Sequence, residues 1–397
     1  MSLDLTKLAS QVGEMVSRLR DGRGERQQRL QCACDTLRNQ AVDLESLKKK
    51  IASSRTTWLV AELVESFDRR YPAPPAPAAF TVMATDGSHI DVDRHRSTRC
   101  YLINTGAAVI RYGADPGAEL NSFPCLYSGD EDMVITSPVG VRVQPVEGPL
   151  LGIKRGVEEC RRLAELAVAL PADSSSLALL DGSLIMWSLE AYPDFVTEAL
   201  LHNGFLKYLE DMKKLNKDRR LAVASYISFP RSTDVVNVLR VALCPHEPVD
   251  CDHSCPLGKE RECDIVAGVL DQQLFSDLLG EGERSSVFIS PSKIQKQYGD
   301  HRVHFFYLKA GDEVARIEVP GWVANDEELL NLTHALTLDQ CRRGQGYPVV
   351  LSEAHEQAVI TGANRAEFWE LVESMLVEEK MPTAGSAKSL SKRTRWV

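Results

Sequence analysis

Two segments of the same form, ATDGS at 84–88 and LLDGS at 179–183, constrain this chain more than any other feature of its sequence. Each places an aspartate directly after an apolar, strand-like run and before Gly-Ser. Ligands of open α/β sheets bind where strands end, so we expect Asp86 and Asp181 to lie close together. Two neighbouring carboxylates repel each other unless a cation such as Mg²⁺ or Mn²⁺ neutralises them. Asp-Gly also makes ordinary turns, which is the simpler interpretation of either motif alone.

An amphipathic helix predicted at 155–170 lies between these motifs. Helical steps of four and seven residues back from its apolar positions Leu163 and Leu166 end at Glu159. We therefore predict that Glu159, in the first turn, lies on the face that packs against the sheet, whereas Glu158 lies on a solvated face. A buried carboxylate needs a partner, and a metal shared with the two aspartates would provide one. The alternative is a charge that the helix N-terminus favours.

The segment GYPVVLSEAHEQAVI (346–360) carries a further candidate. Ser352 is expected to cap a helix that follows a strand, with His355 in the first helical turn. This places His355 just past a strand end, in the region where the carboxylates gather. A lone histidine is more often structural, but here the context favours a metal ligand or a proton-transfer group.

The order of the predicted elements indicates a mixed α/β fold. A run of strands, then a helix, then a strand is the opening order of an RNase H-like sheet, and helices flank it. Predicted strands lie at 80–88, 100–113, 133–144, 176–185, 221–228, 302–308 and 313–319. Predicted helices lie at 155–170, 195–215, 232–243 and 270–280, with more up to about 379.

The remaining segments suggest a domain organisation. Residues 1–70 have a helical period and the proline-rich stretch 71–80 reads as a linker. The RNase H-like α/β domain would then span 81–379, followed by a basic tail at 380–397. The N-terminal helices are either a hairpin packed on their own domain or a coiled-coil-like arm for dimer or partner contacts.

A cysteine-rich insertion is predicted at 244–263. Four cysteines follow the pattern C-x₆-C-x₃-C-x₇-C among Pro, Asp and Gly: Cys244, Cys251, Cys255 and Cys263. Four thiols in one loop indicate a metal site, and zinc and a 4Fe–4S cluster both accept four cysteine ligands. The spacing matches no standard zinc-finger pair, so both remain open. His246 or His253 could replace one ligand, and four free thiols are the alternative.

Composition narrows the class of protein. The net charge of −10 is not typical of a protein that coats nucleic acid, although a local basic groove or bound metal ions could supply a positive field. No apolar run reaches about 18 residues and no signal-peptide block is present, so we expect a cytoplasmic protein with no membrane span. The ten cysteines should then be thiols or metal ligands. The chain has no GxxxxGK[ST] motif, so ATP hydrolysis is not expected.

Taken together, the ordered motifs resemble the NurA nuclease family over roughly 80–375. They are ATDGS, the helix with a buried Glu, LLDGS, YISFPRS, ARIEVP (315–320) and GYPVVLSEAH. The resemblance implies an RNase H-like fold, a homodimer, and Mn²⁺-dependent or Mg²⁺-dependent DNA cleavage of the 5′–3′ exonuclease and single-strand endonuclease type. It also implies a hexameric HerA-type ATPase translocase as partner in DNA end processing and double-strand break repair. Matched by motif, the family's functional positions are Asp86, Asp181, Tyr347 and His355, with Glu159 chosen by the helical-face argument.

The chemistry that the resemblance implies is two-metal phosphodiester hydrolysis at Asp86, Asp181 and Glu159. Four basic residues are candidates for phosphate contacts: Arg231, Lys293, Lys296 and Arg316. For any single one of them, solvated surface charge is the simpler interpretation. The alternative function is a non-cleaving RNase H-like scaffold subunit of a DNA translocase complex. The residues themselves indicate neither the polarity of cutting nor the strand preference.

Overall fold

The computed structural model describes residues 4–40, 43–93, 95–96, 98–172, 174–255 and 261–381. Within them, helices and strands combine into a mixed α/β fold. The α-helices are α1 (Leu5–Asp21), α2 (Arg23–Gln40), α3 (Leu44–Ala52), α4 (Pro149–Val168), α5 (Asp194–Thr197), α6 (Leu206–Lys214), α7 (Asp234–Leu243), α8 (Cys251–Ser254), α9 (Asp271–Leu278), α10 (Gly321–Ala324), α11 (Glu327–Arg343), α12 (Val349–Ala358) and α13 (Gly362–Glu378). A π-helical stretch, Glu198–Phe205, joins α5 to α6.

The strands form the sheets on which these helices pack. They are β1 (Glu62–Leu63), β2 (Arg70–Tyr71), β3 (Phe80–Ile90), β4 (Tyr101–Tyr112), β5 (Gly117–Tyr127), β6 (Val134–Thr136), β7 (Val143–Pro145), β8 (Ser175–Asp181), β9 (Arg220–Ile227), β10 (Arg284–Ser285), β11 (Phe288–Ile289), β12 (Val303–Ala310) and β13 (Glu313–Pro320). Short 3₁₀ helices lie at Trp187–Ala191, Leu215–Lys217, Glu262–Val266, Lys293–Gln297 and Gly299–His301.

Two compact units divide the chain, and each is assembled from three stretches of sequence. The first consists of the residues up to 72, then 228–291 and 304–316, and the second of 73–227, 292–303 and the residues from 317 onward. Most of the basic tail predicted at 380–397 lies outside the described residues, as do 256–260 within the predicted cysteine-rich insertion.

The first unit packs helices against a small antiparallel sheet. Strand β12 pairs with β10 and β11, β1 extends the pairing from β11, and β2 from β10. Aromatic side chains fill the core on this sheet: Phe67, Phe275, Phe288, Phe305 and Tyr307. This is the arrangement that apolar strands and an amphipathic α7 require in order to bury their apolar faces.

The N-terminal helices differ in how they pack. Helices α2 and α3 bury Ala33, Leu37 and Leu47 in the core of the first unit. Helix α1 buries no residue, and its apolar positions, among them Leu8 and Val12, are exposed. The helical prediction for 1–70 differs from the structure after Ala52, because β1 and β2 follow.

A buried ion pair lies within the first unit. Arg316 is 3% exposed, and its guanidinium lies 2.9 Å from Asp234 Oδ2 and over the Phe305 ring at 3.6 Å. The sequence-based suggestion that Arg316 contacts phosphate is therefore wrong, because its guanidinium is buried and forms an ion pair inside the core. The other three candidates for phosphate contacts, Arg231, Lys293 and Lys296, are exposed.

We expect Arg316→Met to lower the free energy of unfolding by about 3–5 kcal/mol, because it leaves the buried Asp234 carboxylate without its cation. Urea denaturation followed by circular dichroism measures this loss. Arg231→Met, at an exposed position of the same unit, is the matched control and should change the free energy by less than about 0.5 kcal/mol. Equal losses in the two variants would contradict a stabilising role for the buried pair.

The second unit is built on a mixed sheet of strand order β9-β8-β3-β4-β5. Strands β9, β8 and β3 run parallel, whereas β3, β4 and β5 pair antiparallel. Helix α4 packs on one face of β3, and α12 packs across β3 and β4. The main hydrophobic core of the second unit lies under α4, with Met83, Cys160, Leu163 and Leu180 buried.

Three local predictions differ from the structure of this unit. The single strand expected at 133–144 is a short hairpin of β6 and β7, and the preceding strand β5 was missed. Most β5 side chains are exposed, so the strand lacks an apolar face that would reveal it. The GYPVVL segment ends in a helix, because α12 begins at Val349.

Across the described residues, no helix is long and apolar enough to cross a membrane.

Candidate active site

Strand register brings the two motif aspartates together. Strands β3 and β8 pair in parallel up to Thr85 opposite Leu180, so Asp86 and Asp181 are the next residue on each strand. Asp181 is the last residue of β8, as the sequence predicted for a strand end. Asp86, by contrast, lies within β3, which continues to Ile90 through its pairing with β4. The apolar run ends at Asp86, but antiparallel pairing with β4 carries the strand past it.

Helix α12 is placed over Asp86 by a glycine on the neighbouring strand. Gly106 is the cross-strand partner of Asp86, and a Cβ at Gly106 would overlap the backbone of Ala354 and Ala358. The helix backbone therefore lies directly on the sheet at this point. Asn104 Nδ2 holds the end of α12 by donating to the Ala358 carbonyl oxygen at 3.0 Å.

This docking positions His355 against the first aspartate. His355 Nδ1 lies 2.7 Å from Asp86 Oδ2, and the histidine side chain is 63% exposed. The ring is thus attached to the aspartate while its remaining surface faces solvent. The expected first-turn position is wrong, because α12 begins three residues before Ser352, with Pro348 as its N-cap residue. The structure nevertheless brings the predicted histidine and aspartate together.

We expect Gly106→Ala to destabilise the protein by about 1–3 kcal/mol and to reduce activity, because the added Cβ forces α12 and His355 away from Asp86. Thermal unfolding and a DNA cleavage assay measure the two effects. Gly152→Ala within α4 is the control, since a Cβ there meets nothing within 4 Å and alanine favours a helix. An active, stable Gly106→Ala protein would argue against this docking geometry.

Glu159 is buried on the face of α4 that packs against the sheet, as the helical spacing predicted. The residue is 8% exposed, and its backbone carbonyl accepts a hydrogen bond from Thr85 Oγ1 at 2.9 Å. The carboxylate lies over Gly87, where any Cβ would overlap Oε1. The position of Glu159 in the first turn is wrong, since α4 begins at Pro149. Glu158 instead pairs with Arg161, with Oε2 2.6 Å from Nε.

The surroundings of Glu159 destabilise its charged carboxylate form. Burial raises the pKa of Glu159 from 4.5 to about 8, Arg155 opposes the rise, and the charges of Asp86 and Asp181 add to it. Arg155 Nε lies 3.0 Å from Glu159 Oε1 as an ion contact. Within the described residues, however, Oε1 accepts no hydrogen bond. A buried carboxylate oxygen in this condition is a natural ligand for a cation.

Asp181 is also shifted and is held by a tyrosine. Burial raises the pKa of Asp181, and the charge of Asp86 adds to the rise, while hydrogen bonds from the Tyr347 hydroxyl and the Gly182 backbone amide lower it. Tyr347 packs edge-on against Tyr226, with ring centroids 5.4 Å apart. Tyr226 is the register partner of Asp181 on β9, so strand pairing and ring packing both orient this carboxylate.

Two residues of the site were missed by the sequence analysis. Glu318, 1% exposed on β13, accepts hydrogen bonds from Ser183 Oγ at 2.8 Å and the Leu184 amide at 2.9 Å, which shapes the turn after Asp181. A glutamate within the apolar run EVARIEVP was the available signal. Arg155 lies four residues before Glu159 on α4, which is the helical spacing of an ion pair.

The end of β8 is where these side chains can meet. Side chains alternate along a strand, so Thr85 and Gly87 face α4 whereas Asp86 faces α12. In the described pairing β8 stops at Asp181, so no residue of β8 lies beside β3 beyond Asp86. Groups from the two faces of the sheet can therefore approach one another past this strand end.

The donor set fits a hard divalent cation. Carboxylates are ligands of Mg²⁺ and Mn²⁺, and the carboxylate oxygen of buried Glu159 that accepts no hydrogen bond supplies the structural reason for a cation. Among the described residues, no three His, Cys, Asp or Glu side chains are spaced, as they stand, to hold a metal ion. Binding would therefore draw the carboxylates together, with Asp86, Asp181 and Glu159 as ligands and His355 beside them. We call these four residues, with Tyr347, the carboxylate site.

The four predicted cysteine ligands lie elsewhere in the fold. Cys244, Cys251, Cys255 and Cys263 belong to the first unit, whereas the carboxylate site belongs to the second. All four are free thiols. His253 is turned toward Asp250, with Nδ1 2.9 Å from Oδ1, and its side chain is 80% exposed.

Comparison with known proteins places the carboxylate site within a known domain. A family profile for the NurA domain matches residues 80–360, which is most of the chain and includes every residue of the site. No curated protein matches the chain by sequence. Among solved structures, the chain is similar to the NurA nuclease from Sulfolobus solfataricus, with a TM-score of 0.46 and 12% identity over 96% of this chain and 98% of that chain. On the strength of the domain match, the chain belongs to the NurA family.

Proposed function

We propose that this protein is a metal-dependent DNA nuclease that hydrolyses phosphodiester bonds at the carboxylate site. The observation that carries the proposal is the concentration of three acidic side chains at the end of β8. Asp86 and Asp181 are register neighbours, and the pKa of buried Glu159 is raised partly by both of them. A fold that gathers three acidic groups in this way gains stability and chemistry only when a cation joins them.

Each residue of the site has a distinct task in this proposal. Asp86, Asp181 and Glu159 would hold Mn²⁺ or Mg²⁺, which when bound activates water and stabilises the leaving oxygen. Tyr347 orients Asp181 through its hydroxyl group. His355 contacts Asp86 through Nδ1, which leaves Nε2 on an exposed ring to hold or deliver a proton. An RNase H-like class of fold is consistent with this mixed sheet and is part of the proposal.

Incubation of the purified protein with end-labelled single-stranded and double-stranded DNA tests this function. Cleavage is expected with Mn²⁺ or Mg²⁺ and should stop when EDTA is added. Labels at the 5′ and 3′ ends separately test the 5′–3′ polarity that the family resemblance implies. DNA binding without cleavage under any divalent metal would contradict the nuclease and favour the alternative, a non-cleaving scaffold subunit of a translocase complex.

The proposal includes assembly with a partner that delivers DNA. A net charge of −10 opposes the long-range approach of DNA phosphates, so efficient processing of DNA ends needs a partner protein that brings the DNA to the site. Exposed helix α1, which buries no residue, offers an apolar face for assembly. We assign a homodimer docked on a ring-shaped, ATP-driven HerA-type translocase, with a role in double-strand break repair.

Light scattering coupled to size-exclusion chromatography tests this assembly. A dimer is expected for the protein alone, and a larger complex with the translocase. Degradation of duplex ends should depend strongly on the translocase and ATP, whereas single strands should be cut slowly without them. A monomer that degrades duplex DNA at full rate without a partner would refute the assembly while leaving the nuclease intact.

A further inference from the structure

A second cluster of potential metal ligands lies in the first unit. Cys244 follows the last residue of α7, Cys251 begins α8, Cys255 follows α8, and Cys263 lies in the 3₁₀ helix Glu262–Val266. Three helix termini therefore converge on one short segment of chain. None of these cysteines forms a disulfide, and the carboxylate site uses none of them.

The chain segments that carry the four thiols lie together in space. Arg240, one turn before Cys244 on α7, donates to Asp264 Oδ1 at 2.9 Å, so the neighbouring Cys263 lies beside the end of α7. The end of α3 joins two of the segments, because Lys50 donates to the Cys244 carbonyl oxygen and the Cys251 amide donates to the Arg55 carbonyl oxygen. Cys255 follows one turn after Cys251. A set of unrelated free thiols along 20 residues has no reason to converge in this way.

Positive charge lies beside the buried sulfurs. Cys244, Cys251 and Cys263 are each less than 9% exposed, and Cys255 is half-buried. Arg240 Nη2 points toward Cys263 Sγ at 3.9 Å. Positive groups beside a buried sulfur cluster compensate the negative charge that metal binding leaves on four thiolates.

We propose that Cys244, Cys251, Cys255 and Cys263 bind a metal centre, zinc or an iron–sulfur cluster, that fastens helices α2 and α3 to the rest of the first unit. Both centres accept four thiolates, and each cysteine loses its proton to solvent on binding. The described side chains are not spaced for a metal as they stand, so the sulfurs would close around it by rotamer changes.

The fastening role follows from contacts on both sides of the cluster. Lys50 of α3 donates from Nζ to the Cys244 carbonyl oxygen at 2.6 Å, and Arg29 of α2 donates to the Ala267 carbonyl oxygen at 2.8 Å. The Cys251 amide donates to the Arg55 carbonyl oxygen at 3.0 Å. The N-terminal segment therefore holds the cysteine segment before, within and after the four thiols. A centre that rigidifies the thiols also rigidifies these attachments.

Metal analysis of the full-length protein, purified anaerobically, tests the site. One centre per chain is expected, and zinc without visible colour or iron with sulfide and a brown absorbance band identifies which. Cys255→Ser, at the most exposed of the four positions, should lower metal occupancy by at least about 10-fold. Cys100→Ser, at a buried cysteine outside the cluster, is the matched control and should leave occupancy unchanged.

Hydrogen exchange separates a structural metal from adventitious binding. Removal of the metal by chelation should accelerate amide exchange in α2, α3 and 244–255, and leave β3 and β8 unchanged. Asp86→Asn should retain the full content of the cysteine-bound metal, so this proposal and the nuclease proposal fail independently. The proposed site would be overturned if the protein contained neither zinc nor iron after purification and bound neither after anaerobic reconstitution with each metal. It would also be overturned if Cys255→Ser kept full metal occupancy, or if amide exchange in α2 and α3 did not change on removal of the metal.

Discussion

Asp86→Asn and Asp181→Asn are each expected to reduce DNA cleavage by at least about 100-fold, because each removes a charged oxygen that the metal requires. Neither change should unfold the protein. The charge of Asp86 raises the pKa of Asp181, so replacing one aspartate with a neutral amide relieves repulsion in the metal-free state. Cleavage rates under saturating Mn²⁺, with thermal unfolding in EDTA, measure the two effects together.

The matched control for these variants is Asp115→Asn. Asp115 is exposed in the turn between β4 and β5 of the same sheet, and its replacement should leave both cleavage and stability unchanged. Near-normal cleavage by Asp86→Asn or Asp181→Asn would remove that residue from the site. Loss of activity accompanied by a large loss of stability would instead assign the aspartates a structural role.

Glu159→Gln should abolish cleavage to a similar extent, whereas Glu158→Gln should impair it mildly. The two residues are neighbours on α4 and the substitutions are identical in chemistry, so the comparison tests the helical face alone. Glu159 is buried over Gly87 on the face that packs against β3, whereas Glu158 is paired with Arg161. The opposite ranking in a cleavage assay would mean that the wrong glutamate was chosen.

The same pair of variants predicts a dependence of stability on pH. In EDTA-treated protein the pKa of Glu159 is raised from 4.5 to about 8. Between these values the folded protein keeps a proton that the unfolded chain has released, so stability is lost as pH rises through this window. Glu159→Gln lacks this loss, so the variant should gain stability relative to the wild type between about pH 5 and about pH 8.

Urea denaturation at the two pH values, in EDTA, measures the difference between variant and wild type. Added Mn²⁺ should reverse it, because the cation stabilises the wild-type carboxylate. Glu158→Gln provides the reference for ordinary surface titration. A stability difference between Glu159→Gln and the wild type that is independent of pH would contradict the buried, protonated state of metal-free Glu159.

Much of the candidate site could be predicted because local chemistry determines it. Apolar runs that end in Asp-Gly-Ser specify buried strands with a polar end, and the helical period identified Glu159 rather than Glu158 as the buried residue. These are properties of contiguous residues, so the sequence carries them directly. The family resemblance was likewise confirmed, because it rests on ordered motifs. The partners, the metal and the cysteine-bound centre stay predictions.

Other features depended on contacts between distant segments. The docking of α12 on Gly106, which brings His355 to Asp86, joins residues about 250 positions apart and has no local signal. Arg316 and the exposed lysines and arginine cannot be distinguished by residue type, since only packing decides that Arg316 pairs with Asp234 in the core. Glu318 takes its role from the turn after Asp181, which belongs to a different strand.

The sequence by itself therefore determined the mixed α/β class, the family, the position of the two aspartates after apolar runs and the burial of Glu159. The reason is that the periods of strands and helices depend on neighbouring residues. Only the tertiary structure decided that β8 stops beside Asp86, that α12 covers the neighbouring strand, and that Arg240 of α7 lies beside Cys263. The physical reason is that register, helix docking and burial of charge depend on the free energy of the whole packed unit, to which distant residues contribute.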